Sequence, residues 1–90
     1  MKIPTEFQLG GLKWKVVRYK RLKGKYGDTI YDKQTIRILD TLPQEAKEQT
    51  FCHELLHAIE IAMGKNPDDH NEQEIDARAT FLHQFLNSYK

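Results

Sequence analysis

The sequence predicts an α+β fold, in which a small, mostly antiparallel sheet of three or four strands is followed by two helices. Short segments of alternating apolar and polar residues, separated by turn signals, fill the first forty residues. Apolar residues at helical spacing then occupy two stretches joined by a polar connection. Because the 90 residues contain no internal repeat or linker, we expect a single domain spanning residues 1–90.

The strands are predicted as two hairpins. The four predicted strands are Glu6–Leu9, Leu12–Tyr19, residues 26–32 and residues 35–40. Gly10-Gly11 is a two-residue turn signal for the first hairpin, and Lys33-Gln34 lies at the turn of the second. Ile36 and Ile38 share one face of the last strand, as the two-residue period of a strand requires, so we expect that face to be buried.

Two helices are predicted after the strands. Thr41 is the predicted N-cap of the first helix, and Gly64 is its predicted stop. The second helix is predicted over residues 71–89, after a polar connection over residues 65–70. Its predicted buried residues are Ile75, Leu82, Phe85, Leu86 and Tyr89.

Composition excludes several classes of protein. The chain has one cysteine, Cys52, so a disulfide scaffold is excluded and a reducing compartment, the cytoplasm, is expected. No apolar run approaches the length of a membrane span and the first residues carry no signal-peptide pattern, so we expect no membrane partner. A core this small gains stability from an additional cross-link, and a bound metal is the kind of cross-link that the composition leaves open.

Charge divides between the two halves of the chain. Residues 1–39 hold ten Lys/Arg and three Asp/Glu, whereas residues 40–90 hold four and ten. The local peak is the segment KRLKGK at residues 20–25. It lacks interleaved aromatic residues or a binding motif, so we interpret it as a solvated loop and do not expect nucleic acid as a partner.

The first predicted helix carries the motif His53-Glu54-Leu55-Leu56-His57. Residues four apart on a helix lie one above the other, so His53 and His57 can bind the same cation. Glu54 lies about 100° around the helix axis, within reach of a water beside that cation. Zinc with an open position lowers the pKa of its water toward ~7, and Glu54 is predicted to take the proton and pass it to the leaving amine.

Two histidines require a third ligand, and three carboxylates at the start of the second helix are the candidates: Glu72, Glu74 and Asp76. Glu72 and Asp76 are four residues apart and share a helix face, from which Glu74 is turned away. Glu74 also has a structural explanation, because it lies three residues after Asn71 and completes a capping box. We therefore prefer Glu72 and keep Glu74 as the alternative metal ligand.

These residues resemble the HExxH-plus-glutamate zinc metallopeptidases, the gluzincins. Thermolysin-like enzymes carry Asn-Glu-x-x-x-Asp on the helix after the metal helix, a pattern that Asn71, Glu72 and Asp76 match. The resemblance implies a zincin-like fold, one Zn²⁺ per chain bound by His53, His57 and Glu72, and an Asp76 carboxylate that orients a liganding histidine. In length and order of parts the chain is most similar to the minigluzincins and to short ImmA/IrrE-like HExxH proteins of phages and mobile elements.

The resemblance predicts a zinc-dependent peptidase, of endopeptidase type, acting on a peptide or protein substrate as a monomer or weak oligomer. The substrate is expected to lie extended along an edge strand of the sheet, which the sequence does not identify. The alternative is a latent or inactive zinc-stapled binding module. A purely structural site would fill its fourth position with protein, and the spare candidates for that position are Cys52, His70 and His83.

Overall fold

The computed structural model describes residues 1–89 and has the predicted α+β architecture. The strands are β1 (Glu6–Leu9), β2 (Leu12–Tyr19), β3 (Gly27–Ile30) and β4 (Thr35–Leu39), and the helices are α1 (Gln44–Ala62) and α2 (Glu72–Ser88). Short 3₁₀ turns lie at Tyr31–Lys33 and Pro67–Asp69. The prediction of a four-stranded, mostly antiparallel sheet followed by two helices is confirmed.

The strand order in the sheet is β1-β2-β4-β3. The β1–β2 and β3–β4 pairs are antiparallel, and the two hairpins join through a parallel pairing of β2 with β4. β3 is therefore an edge strand, and it packs against α1 on the side where α1 carries the HExxH motif. This topology places one exposed strand edge beside the candidate metal helix.

Both hairpin turns lie where the sequence predicts them, but the second takes more residues. Gly10 and Gly11 adopt positive φ angles of 58° and 80°, which a primed two-residue turn requires. In the second hairpin β3 ends at Ile30, because the chain reverses through the 3₁₀ turn and through Gln34 at φ 41°. The strand predicted over residues 26–32 is thus too long at both ends.

The core lies between one face of the sheet and the two helices. Trp14, Ile36 and Ile38 provide the sheet side and are at most 2% exposed. Phe51 and Cys52 of α1 pack against them. Burial raises the pKa of the Cys52 thiol to about 11, so this cysteine is a small buried apolar residue, as the sequence indicates.

The ends of α1 match the prediction at Gly64 but not at Thr41. The helix begins at Gln44 with Pro43 as its N-cap, and no side chain caps it. A proline disfavours helical backbone in the residue before it, so Leu42 cannot extend the helix toward Thr41. At the other end Gly64 has φ 88°, the left-handed conformation of a helix stop.

The buried face of α2 matches the prediction at Ile75, and in part at Leu82 and Leu86, but not at Phe85 and Tyr89. Ile75, Ala79 and His83 are the buried residues of this helix, whereas Phe85 and Tyr89 are 59% and 63% exposed. The small Ala79, fully buried at the centre of the contact face, lets α2 approach α1 closely. Phe85 and Tyr89 instead stack on each other on the outer side, with ring centroids 5.2 Å apart.

A buried hydrogen bond links the two helices far from the motif. The Nε2 atom of His83 lies 3.0 Å from Glu48 Oε1, and both side chains are about nine-tenths buried. The amide of Gln44 donates to the second oxygen of Glu48 at 3.1 Å, and the Met1 amino group lies 3.4 Å from the first. The hydrogen bond from His83, followed by that from Gln44, lowers the pKa of Glu48 to about 2 against the opposing effect of burial.

We expect Glu48→Gln to lower the free energy of unfolding by about 2 kcal/mol at neutral pH. Because the folded-state pKa of Glu48 is depressed from 4.5 to about 2, ionised Glu48 stabilises the fold fully above pH 4.5. That stabilisation is lost as the pH falls toward 2. Urea unfolding of both proteins at several pH values should show a difference that narrows in acid. The exposed Glu45→Gln is the control, and a difference independent of pH would contradict the prediction.

Candidate metal centre

α1 presents the two motif histidines on the side that faces α2. His53 and His57 are one turn apart, with ring centroids separated by 5.1 Å. His57 is 7% exposed and His53 is half-buried, because Leu55 and Leu56 between them turn toward the core. Burial lowers the pKa of His57, while the nearby Glu72 carboxylate opposes this shift. The neutral imidazole that burial favours is the form that binds a metal.

Glu72, the first residue of α2, brings its carboxylate between the two imidazoles. Its Oε1 lies 2.8 Å from His57 Nε2, and its Oε2 lies 3.2 Å from His53 Nε2. One ligand atom from each of the three residues lies within 4.8 Å of the others. The structure therefore brings His53, His57 and Glu72 within the distance at which they can share one metal ion.

The start of α2 explains why Glu72 and not Glu74 reaches this position. The Asn71 side chain caps the helix by accepting a hydrogen bond from the Glu74 backbone N–H at 3.1 Å. The Glu74 carboxylate does not return to Asn71 but binds Arg78 at 2.8 Å on the outer face. Half of the predicted capping box is thus present. Glu74, the alternative metal ligand, is not part of the group formed by His53, His57 and Glu72.

Asp76 lies behind His53. Its Oδ1 is 3.5 Å from His53 Nδ1, the ring nitrogen opposite the one that faces Glu72. A carboxylate at the second nitrogen fixes the tautomer and the orientation of a metal-binding histidine. The Asn-Glu-x-x-x-Asp pattern implies such a role for Asp76, which stays a prediction.

Glu54 is buried beside His53 but is not a member of the group. The Thr29 hydroxyl of β3 donates to Glu54 Oε1 at 2.7 Å, which holds the carboxylate between β3 and α1. Burial raises the pKa of Glu54, and the Thr29 hydrogen bond opposes that shift. Strand β3 therefore orients the Glu54 carboxylate, and Glu54 is not one of the three candidate metal ligands.

Gly27 allows β3 to approach α1 this closely. A Cβ atom at this position would lie 2.6 Å from Thr50 Cγ2 and 2.7 Å from the backbone oxygen of Arg37. Neither distance is tolerated by real side chains, and the Arg37 oxygen belongs to the paired strand β4. The absence of a side chain at residue 27 thus positions Thr29 against Glu54.

We expect Gly27→Ala to destabilise the protein by about 1–3 kcal/mol, the usual range for overpacking in a close contact. Adding Thr50→Ser, which removes the Thr50 Cγ2 atom, should restore only part of the loss because the contact with the Arg37 oxygen remains. Thermal unfolding of the single and double variants measures this. If Gly27→Ala unfolds at the same temperature as the wild type, β3 can move away from α1 without loss of stability, which would contradict the prediction.

His70, one of the spare candidates for the fourth position, contacts the site from the connection between the helices, as the residue after the 3₁₀ turn. Its Nδ1 lies 2.7 Å from His57 Nδ1, again the nitrogen opposite the one that faces Glu72. His70 is therefore in contact with a candidate ligand but is not a member of the group of three. Sequence spacing does not reveal such a contact, because it depends on how the 3₁₀ turn at Pro67–Asp69 directs the chain.

A cleft of about 600 Å³ lies alongside the candidate centre. The residues that line it include Gly24, Lys25, Tyr26, Gln49, His53, Glu54 and Asp76. One wall is thus α1, and the other is the end of the basic loop that leads into β3. Of the two tyrosines near the motif, Tyr26 is 66% exposed in this cleft. Tyr31 is half-buried near His70, with ring centroids 6.5 Å apart.

The donor set is compatible with a zinc ion. Two imidazole nitrogens and a carboxylate are the ligands of many zinc sites that keep a fourth position open. Among residues 1–89, the group contains only His53, His57 and Glu72. Two of the spare candidates are engaged elsewhere, since His83 binds Glu48 and Cys52 lies in the core. Three donors of these types are one fewer than the four ligands of a closed tetrahedral zinc site.

Comparison with models of protein families, with curated proteins and with solved structures finds no match to this chain. Within residues 1–89, neither helix has the length and apolar character needed to cross a membrane. The site therefore has to be interpreted from its own geometry.

Proposed function

We propose that the protein is a zinc-dependent metallopeptidase of the small gluzincin type. The observation that carries the proposal is the convergence of His53 Nε2, His57 Nε2 and the Glu72 carboxylate, with a non-coordinating buried glutamate, Glu54, beside them. Retention of Glu54 supports catalysis over a purely structural site, because Glu54 adds nothing to metal binding. A reducing compartment such as the cytoplasm is part of the proposal, supported by the buried free thiol of Cys52.

Each residue then has one role. His53, His57 and Glu72 would hold the zinc ion, which supplies a Lewis acid that makes water a nucleophile near neutral pH. Glu54 accepts a proton from the attacking water and donates it to the leaving amine. Thr29 holds the Glu54 carboxylate in place through Oε1, which leaves Oε2 for the proton. Asp76 orients the His53 ring.

The edge strand β3 is the proposed binding site for an extended peptide. It pairs with β4 on one side only, so its other side offers backbone N–H and C=O groups to a further strand. The cleft is lined by Tyr26 and Gly27 at the start of β3 and by His53 and Glu54 of α1, so a peptide paired with the start of β3 would pass the HExxH motif. Its scissile carbonyl would then lie within reach of the proposed zinc ion.

The test is metal content followed by activity. Purified wild-type protein should contain about one zinc ion per chain by elemental mass spectrometry, and should cleave a quenched-fluorescence peptide library. Cleavage should stop on dialysis against a chelator and return on addition of one equivalent of zinc, with the wild-type protein dialysed without chelator as the control. Failure to bind zinc would overturn the proposal. Zinc binding without cleavage of any library member would favour the inactive zinc-stapled module.

A further inference from the structure

His70 contacts a ring nitrogen of His57 that the proposed zinc site does not use. The Nε2 atom of His57 faces Glu72 at 2.8 Å, whereas its Nδ1 atom faces His70 Nδ1 at 2.7 Å. The distance is that of a hydrogen bond between nitrogens, and within residues 1–89 no carboxylate or backbone oxygen is hydrogen-bonded to this nitrogen. The partner of His57 on this side is therefore a second histidine.

The two imidazoles meet edge to edge. Their planes are 17° apart and their centroids are separated by 5.0 Å. Rings in face-to-face contact would have centroids closer together than this, whereas two nearly coplanar rings joined through their nitrogens have about this separation. The contact is thus an in-plane hydrogen bond, with the geometry that directs a proton from one nitrogen to the other.

The direction of this hydrogen bond follows from the other side of His57. A metal binds an unprotonated nitrogen, so a liganding His57 carries its proton on Nδ1 and donates it to His70 Nδ1. A neutral His70 must then carry its own proton on Nε2. That Nε2 atom is buried, and no group in the described part of the chain, residues 1–89, hydrogen-bonds to it. An unpaired buried donor is unfavourable for stability, so packing alone does not explain a histidine at this position.

We propose that His70 is a positioning residue that fixes the tautomer and the orientation of His57 for metal binding. The inference rests on the proposed zinc site and extends it. His70 does for His57 what Asp76 does for His53, so each histidine ligand has a partner at its second nitrogen. Both partners and the ligand Glu72 come from residues 70–76, a single short stretch at the start of α2.

The experiment compares His70→Leu, which removes the acceptor, with His70→Asn, which places an amide oxygen close to the position of Nδ1. Zinc dissociation constants are measured by competition with a chromophoric chelator, using zinc alone as the probe. We expect His70→Leu to bind zinc about 10–100-fold more weakly, and His70→Asn to recover most of that loss. Gln73→Ala, an exposed uncharged residue of the same segment, is the matched control and should bind as the wild type does.

The Nδ1 proton of His57 gives a second readout that does not require activity. In the zinc-loaded, ¹⁵N-histidine-labelled protein, ¹H–¹⁵N spectra should show this proton hydrogen-bonded and slow to exchange with water in the wild type and in His70→Asn. In His70→Leu we expect faster exchange, while circular dichroism shows the fold to be retained. A role of His70 in packing alone predicts the same exchange rate in all three proteins.

Three results would overturn the inference. Unchanged zinc affinity in His70→Leu, with wild-type binding intact, would overturn it and leave the proposed function standing. Equal weakening in His70→Leu and His70→Asn, together with a loss of metal-free stability, would assign His70 a structural role only. Absence of zinc binding in the wild type would overturn both the proposed function and this inference.

Discussion

Glu54→Gln is expected to slow peptide hydrolysis by about 10²–10⁴-fold, the usual contribution of a general base, and to leave zinc content at one per chain. Gln has the shape of Glu and an oxygen that can still accept the Thr29 hydrogen bond, so the fold should be retained. It lacks the basic oxygen that takes the proton of the attacking water. Steady-state cleavage of the best library peptide, with zinc content measured on the same sample, tests both halves of the prediction.

Glu60→Gln is the matched control for this variant. Glu60 is also a buried glutamate of α1, but its carboxylate lies near Lys65 and Arg78, at the end of the helix away from Glu54. We expect the peptidase activity of Glu60→Gln, per folded molecule, to remain near the wild-type value. Loss of zinc in Glu54→Gln would identify Glu54 as a ligand. Cleavage at the wild-type rate would remove it from the mechanism.

Glu72→Ala is expected to weaken zinc binding by more than about a hundredfold, since loss of a direct ligand exceeds the effect of losing an outer partner. Glu74→Ala should leave zinc affinity within about threefold of the wild type, because it removes only an exposed ion pair with Arg78. Glu72 and Glu74 are closely matched in position and exposure. Both are exposed carboxylates in the first turn of α2, where the helix dipole favours a negative charge.

Because the Glu72 and Glu74 side chains are both exposed, a loss of zinc in these variants can be distinguished from unfolding. The Glu72 side chain is 66% exposed, so its truncation removes little packing, and the metal-free protein loses only the contacts of this carboxylate with His53 and His57. Thermal unfolding of the metal-free variant should therefore show that the fold is retained. Elemental mass spectrometry and chelator competition measure zinc in each variant. If Glu74→Ala loses zinc and Glu72→Ala keeps it, the assignment of the third ligand in this structure is wrong.

Local patterns predict the parts of the fold that depend on neighbouring residues. The Gly10-Gly11 turn, the α1 stop at Gly64 and the helical placement of His53 and His57 each follow from a few consecutive residues. The parallel pairing of β2 with β4 joins segments separated by a basic loop and a hairpin, and no local signal specifies it. The sheet edge available to a substrate is identified only once this pairing is known.

Helix α2 shows why burial was harder to predict than helix formation. Hydrophobicity assigns Phe85 and Tyr89 to the core, yet the contact face is determined by the close fit of Ala79 and by the His83–Glu48 hydrogen bond. Both depend on the opposing helix. The same holds for His70, whose only sequence signal is that it comes just before the segment bearing Glu72.

The placement of residues 70–76 gives the protein a carboxylate at high effective concentration. Glu72 is fifteen residues from His57 along the chain, and a tether of this length presents an attached group at concentrations on the order of millimolar. The docked start of α2 raises that value further by restricting where the carboxylate can lie. A free carboxylate such as acetate would have to exceed this concentration to replace Glu72 in Glu72→Ala. For the proposed zinc site, the short connection between the helices is thus itself a determinant of affinity.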